Sequence, residues 1–126
     1  MKFFLAYSQA DRDYAAALAT EMTKRGASVW YDWQALAPGV NFDNTLRDAL
    51  NSSGAAILLL PREGAKGGNY AIFEAGAAKA MGKKVFVVAR GPGDREFPSN
   101  IADMAIFDAE NKAVPDIAEA LVRIAS

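Results

Sequence analysis

The 126-residue chain is the size of one domain, long enough to bury about two thirds of the surface its unfolded form exposes. Hydrophobic residues make up 52% and charged residues 23%, and a net charge of −1 gives no electrostatic footprint for nucleic acid or an anionic membrane. With no Cys and no His, thiol nucleophiles, Ser-His-Asp triads and zinc or iron sites built on those ligands are excluded.

The chain opens on a short apolar run, Phe3-Phe4-Leu5-Ala6, which reads as a strand. It reaches Ser8 and Asp11 too soon to form the apolar core of a signal peptide, so a soluble cytoplasmic protein is expected. Ser8-Gln9-Ala10-Asp11 fits a capping box, and Tyr14, Leu18 and Met22 mark one face of the helix that follows. Gly26 closes that helix after Lys24 and Arg25. Ser28-Val29-Trp30-Tyr31 is a second strand, and the stretch from Asp32 through Trp33, Leu36, Pro38 and Gly39 to Asn41 is a loop of unusual length, a frequent mark of function.

Phe42, Leu46, Ala49 and Leu50 mark the next helix, with Asn41 as its cap and Gly54 as its stop. Ala55 to Leu60 is an uninterrupted apolar run, the pattern of a central parallel strand covered on both faces. A glycine-rich connection, residues 62–68, leads into a helix over Asn69 to Lys83 that is apolar almost all the way round, as in an element buried inside a fold. Val85 to Ala89 gives a fourth strand and Ala105 to Phe107 a fifth; a last helix starts near Pro115 and buries Ile117, Leu121 and Ile124. Alternating strands and helices predict a single α/β domain over residues 1–126. Its expected fold is three-layered and flavodoxin-like, with a five-stranded parallel sheet in the order 2-1-3-4-5 and helices on both faces. A ligand then belongs at the carboxyl edge of the strands, where the loop after Ala6, the loop from Asp32 to Asn41 and the start of the helix around Glu74 converge.

Glu74 interrupts the apolar surface of its helix. At about 100° per residue it shares a face with Tyr70, Ala71, Ala77, Ala78 and Met81, so no basic residue stands one turn away to pair with it. Small alanines leave room for a groove beside it, and Tyr70 offers a flat wall. One reading has Glu74 facing water at the helix edge; the other has it held in apolar surroundings, a costly placement found more often at functional sites. Ala6-Tyr7-Ser8 and Leu60-Pro61 lack the acidic residues of a phosphoacceptor receiver, only Ser8 is available for a flavin phosphate loop, and no G-x-G-x-x-G or P-loop occurs.

Taken together, three segments resemble a bacterial-type TIR (Toll/interleukin-1 receptor) domain over essentially the whole chain. Phe3 to Ser8 with Asp11 is similar to the first TIR box. Val29-Trp30-Tyr31-Asp32 running to Leu36-Ala37-Pro38-Gly39 is similar to the second strand and its signature loop, and Tyr70 to Gly82 to the helix with a catalytic glutamate. The resemblance implies NAD glycohydrolase activity, extending to an ADP-ribose cyclase, in anti-phage defence signalling, with NAD as substrate and neither cofactor nor metal. It places Glu74 as the catalytic residue and Tyr70 against the nicotinamide, where the family more often has Trp. Tyr7, Ser8 and Trp33 then border the ribose and phosphates; Tyr70 and Trp33 have rival roles as core or loop anchors, and Ser8 as the cap. It also implies that TIR domains meet through the loop carrying Asp32, Leu36, Pro38 and Gly39, as a homo-oligomer or filament that activates the site. The Phe-Trp box of animal receptor TIR domains is not visible, which weakens a pure adaptor reading. Two alternatives remain. One is a non-enzymatic TIR interaction module. The other is an enzyme like nucleoside deoxyribosyltransferases, whose Glu-x-Gly-x-Ala pattern resembles Glu74-Ala75-Gly76-Ala77-Ala78.

Overall fold

The computed structural model describes residues 2–31, 42–60, 68–89, 105–109 and 112–125. In chain order the elements are β1 (Lys2–Ala6), a 3-10 turn (Gln9–Asp11), α1 (Arg12–Lys24), β2 (Ser28–Trp30), α2 (Phe42–Ser52), β3 (Ala55–Leu59), α3 (Gly68–Ala80), β4 (Lys84–Ala89), β5 (Ala105–Asp108) and α4 (Val114–Ala125). The five strands form one sheet in the order β2-β1-β3-β4-β5, all parallel, as the alternation of elements predicts.

The pleat of the strands sorts the core into two layers, because successive side chains leave opposite faces. Phe3, Leu5, Ile57, Leu59, Phe86 and Val88 pack with Ala15, Leu18 and Met22 of α1 and Ile117 and Leu121 of α4. Phe4, Ala6, Ala56, Leu58, Val85 and Val87 pack with Ala49 and Leu50 of α2 and Ala75 and Ala78 of α3. The register sets Phe4 beside Ala56 and Ile57 beside Phe86, so each layer continues across strands. β3 is buried at every residue, which explains why its sequence shows no polar alternation.

Two helices end as glycine permits. After α1, Gly26 at φ +90° donates to the Thr23 carbonyl and Ala27 to that of Met22. After α3, Gly82 at φ +80° and Lys83 repeat the pattern on Lys79 and Ala78. Both are paired left-handed caps that satisfy carbonyls the helix leaves open. α2 ends differently from the expectation for Gly54: the Ser52 and Ser53 hydroxyls donate back to the Ala49 carbonyl at 3.1 and 2.7 Å. The Gly54 N–H instead joins the Lys2 carbonyl at 2.8 Å and starts β3.

Three further expectations are corrected. Ser8 and Asp11 do not form a capping box: the Ser8 hydroxyl donates to the Asp11 carboxylate at 3.0 Å, and neither side chain caps the helix behind it. A 3-10 turn intervenes and brings the two side chains face to face. Ile124 is 55% exposed although it continues the stripe of Ile117 and Leu121, because it lies in the last turn of α4, past its buried span. α3 is not enclosed on all sides. Glu74, Ala75 and Ala78 are buried, Gly76 and Ala77 are half-buried, and Lys79, Ala80 and Met81 face solvent. A helix covering one face of a sheet keeps an outer side, and alanine is tolerated there.

Candidate active site

α3 starts beyond the carboxyl end of β3 and runs back across the sheet, packed on β3, β4 and β1. Glu74 lies about 9 Å along the helix axis from Gly68 at 1.5 Å per residue. Of the two readings of this residue, the structure supports burial: Glu74 is 0% exposed. Neither carboxyl oxygen has a hydrogen-bond partner among the described residues. Desolvation raises its pKa from 4.5 to about 8, so near neutrality the side chain is mainly the uncharged acid. No cation acts on it from the described part of the structure. The strand face beneath α3 is built from Phe4, Ala6, Ala56, Leu58, Val85 and Val87, and the helix contributes Ala75 and Ala78. None of these can donate a hydrogen bond from its side chain.

The edge of β1 contributes differently. Tyr7 and Ser8 follow directly on Ala6, and both are buried. The pleat carries the Tyr7 side chain to the α1 and α4 layer, opposite the face that α3 covers, where its ring lies 6.5 Å from that of Tyr31. Ser8 is committed to Asp11. Tyr7 and Ser8 thus stand at the expected strand edge, with side chains held in local contacts, while Glu74 occupies the opposite layer. The Ser8–Asp11 pair and the Tyr7–Tyr31 contact went unread in the sequence; the three-residue spacing of Ser8 and Asp11 was the available signal for the first. Trp33, Asp32, Leu36, Pro38 and Gly39 lie outside the described residues, as does the Tyr70 side chain, whose backbone belongs to α3 one turn before Glu74.

A buried carboxyl without a partner has two chemical uses. Protonated, it can give its proton to a leaving group; ionised, it can accept hydrogen bonds from a diol and stabilise a neighbouring positive charge. A family model for the TIR domain matches residues 3–124. The chain belongs to the TIR domain family. Among solved structures, the CMP N-glycosidase BcmB of Clostridium botulinum is 18% identical to this TIR domain, with a TM-score of 0.62 over 98% of this chain and 99% of its own. A prokaryotic SEFIR domain is 13% identical with a TM-score of 0.68, over 98% and 91% of the two chains. The TIR domains of the activated Roq1 resistosome, which directly recognizes the pathogen effector XopQ, are 14% identical with a TM-score of 0.59, over 98% and 70%. At these identities the likeness is one of fold. No curated protein sequence matches the chain. Among the described residues no helix is long and apolar enough to cross a membrane.

Proposed function

We propose that this TIR domain cleaves the bond between nicotinamide and ribose in NAD, with Glu74 as the catalytic carboxylate. The observation that carries the reading is the buried carboxyl of Glu74, which has no hydrogen-bond partner among the described residues. Such a group is costly to maintain and leaves its hydrogen-bonding capacity for a ligand. Nicotinamide leaves a pyridinium glycoside as a neutral molecule, so the acid that protonates most glycosidic leaving groups is dispensable and one carboxylate suffices. Ionised Glu74 accepts hydrogen bonds from the ribose hydroxyls and stabilises the oxocarbenium-like transition state. Tyr70 stacks on the nicotinamide, and Trp33 together with the backbone of the strand edge at Tyr7 and Ser8, whose side chains are held in local contacts, borders the ribose and phosphates. The loop carrying Asp32, Leu36, Pro38 and Gly39 joins a second TIR domain to complete the site, and the reaction serves defence signalling inside the cell.

Incubation of the chain with NAD over a wide range of protein concentration and with a crowding agent tests this. Nicotinamide release whose specific activity rises with concentration, and which Glu74→Gln abolishes, is the expected result. Undiminished release by a folded Glu74→Gln protein sinks the reading.

The raised pKa favours a second reading. A carboxyl that holds its proton near neutrality suits protonation of a neutral base, as N-glycoside hydrolysis of a pyrimidine nucleotide requires. The pH profiles differ in sign. Cleavage that needs the carboxylate gains rate as pH rises toward about 8, whereas cleavage that needs the acid loses rate above it.

A further inference from the structure

Among the described residues, no positive charge acts on Glu74. β1, β3 and β4 present Phe4, Ala6, Ala56, Leu58, Val85 and Val87 to the layer that α3 packs on, and α2 adds Ala49 and Leu50 to it. The described charged side chains on those elements and on α3 stand elsewhere. Lys2, Arg47, Asp48, Lys79 and Lys84 are exposed, and the half-buried Lys83 donates to the Asn51 carbonyl at 3.3 Å. No charged group among the described residues contributes to the environment of Glu74, where desolvation acts alone. Burial favours the neutral acid at rest, and its two oxygens have no hydrogen-bond partner among the described residues. The described residues offer no cation to ionise it, and a cationic ligand would.

We propose that Glu74 reads the charge of the substrate's ring: binding of a cationic N-pyridinium glycoside turns the resting acid into the carboxylate and releases one proton to solvent. The inference rests on the proposed placement of a pyridinium nucleotide beside Glu74. In this step the O–H bond of Glu74 breaks, its electron pair stays on the carboxylate, and the proton passes to water or buffer. No bond of the substrate changes. A cation within about 4–6 Å of a carboxyl lowers its pKa by roughly 1–3 units, enough to carry Glu74 from its resting value to ionisation near neutral pH. A neutral dihydropyridine ring of the same shape supplies no such field, so it meets an uncharged acid and gains nothing from ionisation. Selection for the oxidised, cationic cofactor over the reduced one then resides in one buried residue. The same event produces the carboxylate that the cleavage step uses, so the charge that identifies the substrate also arms the site.

The test is calorimetric. Carba-NAD, in which a methylene replaces the oxygen of the nicotinamide ribose ring, keeps the cationic ring and resists cleavage; NADH presents the neutral ring. Each is titrated into the chain near neutral pH in two buffers of different ionisation enthalpy, and the difference in heat counts protons. Carba-NAD is expected to release between about half a proton and one proton per site, while NADH releases none. Affinity for carba-NAD is expected to rise by up to about tenfold per pH unit below the resting pKa, a wild-type measurement independent of any variant. In Glu74→Gln, an isostere that cannot ionise, proton release disappears and the preference for the cationic ring falls by at least about tenfold. Absent binding of carba-NAD, binding without proton release, or unchanged ring preference in Glu74→Gln each overturns the proposal. The hydrolysis reading fails separately. If carba-NAD binds with Glu74-dependent proton release but NAD is never cleaved, charge reading stands and catalysis falls; cleavage lost in Glu74→Gln without proton release on binding gives the reverse.

Discussion

Asp11 and Glu74 are both buried carboxyls, one in each layer of this domain, and their surroundings differ. Asp11 stands at the start of α1 with the Ser8 hydroxyl donating to it at 3.0 Å, an arrangement that fixes the turn after β1. Glu74 sits within α3, which packs over a face of alanine, leucine, valine and phenylalanine side chains, and its oxygens meet no donor among the described residues. Among the described residues the fold supplies a partner to the carboxyl that shapes the backbone and none to Glu74, the carboxyl we propose for the ligand. Leaving a buried polar group unpartnered costs about 1–3 kcal/mol, so its retention in α3 calls for a use other than stability.

The comparison can be broken most severely at Glu74. Replacing it with Gln is expected to lower NAD cleavage by at least about 100-fold, the scale of losing an electrostatic stabiliser of a transition state, as read by nicotinamide release. A smaller loss makes Glu74 an ordinary buried residue.

The next effect concerns pH. Below a pH of about 4.5 the group is protonated in folded and unfolded chains alike, and burial of the acid carries no charge penalty. Between 4.5 and about 8 the folded chain holds a proton that the unfolded chain has lost, so stability falls as pH rises. The contribution from this group amounts to on the order of 3 kcal/mol between about pH 5.5 and 7.5. Urea midpoints of wild type and Glu74→Gln measured across that range are expected to diverge with pH. Parallel curves contradict the burial of an ionisable group.

At the other carboxyl, Ser8→Ala removes a buried donor and is expected to lower stability by about 1–2 kcal/mol, measured by denaturant unfolding. Little change there would mean that Asp11 finds equivalent partners without Ser8. The smallest effect belongs to the exposed pair on α4, where Arg123 meets Glu119 at 2.6 Å. Arg123→Ala is expected to shift stability by no more than about 0.5 kcal/mol, which sets the baseline for a charge that water already solvates.

Much of the fold was legible because the signals were local and periodic. The run from Ala55 to Leu60 announced a strand covered on both faces, and Gly26 announced a left-handed cap. The isolation of Glu74 on its helix could also be read, since α-helical spacing shows that no basic residue lies one turn away. What could not be read depended on three-dimensional placement. Ser8 and Asp11 have the spacing of a capping box, yet the 3-10 turn between them points one side chain at the other. Ile124 continues an apolar stripe, but periodicity does not say where the covering layer stops. The all-apolar appearance of α3 suggested enclosure, whereas alanine and glycine serve equally on the outer side of a helix. For the site, Glu74 was legible as a candidate, and its proton affinity was not, because desolvation depends on the whole layer beneath α3.

The most direct measurement is a titration of the Glu74 side-chain carboxyl by carbon NMR on glutamate-labelled protein, with Glu74→Gln identifying the resonance. A midpoint near 8 in the unliganded domain is the predicted result. A midpoint close to 4.5, the value of an exposed glutamate, would contradict a buried acid held without a partner.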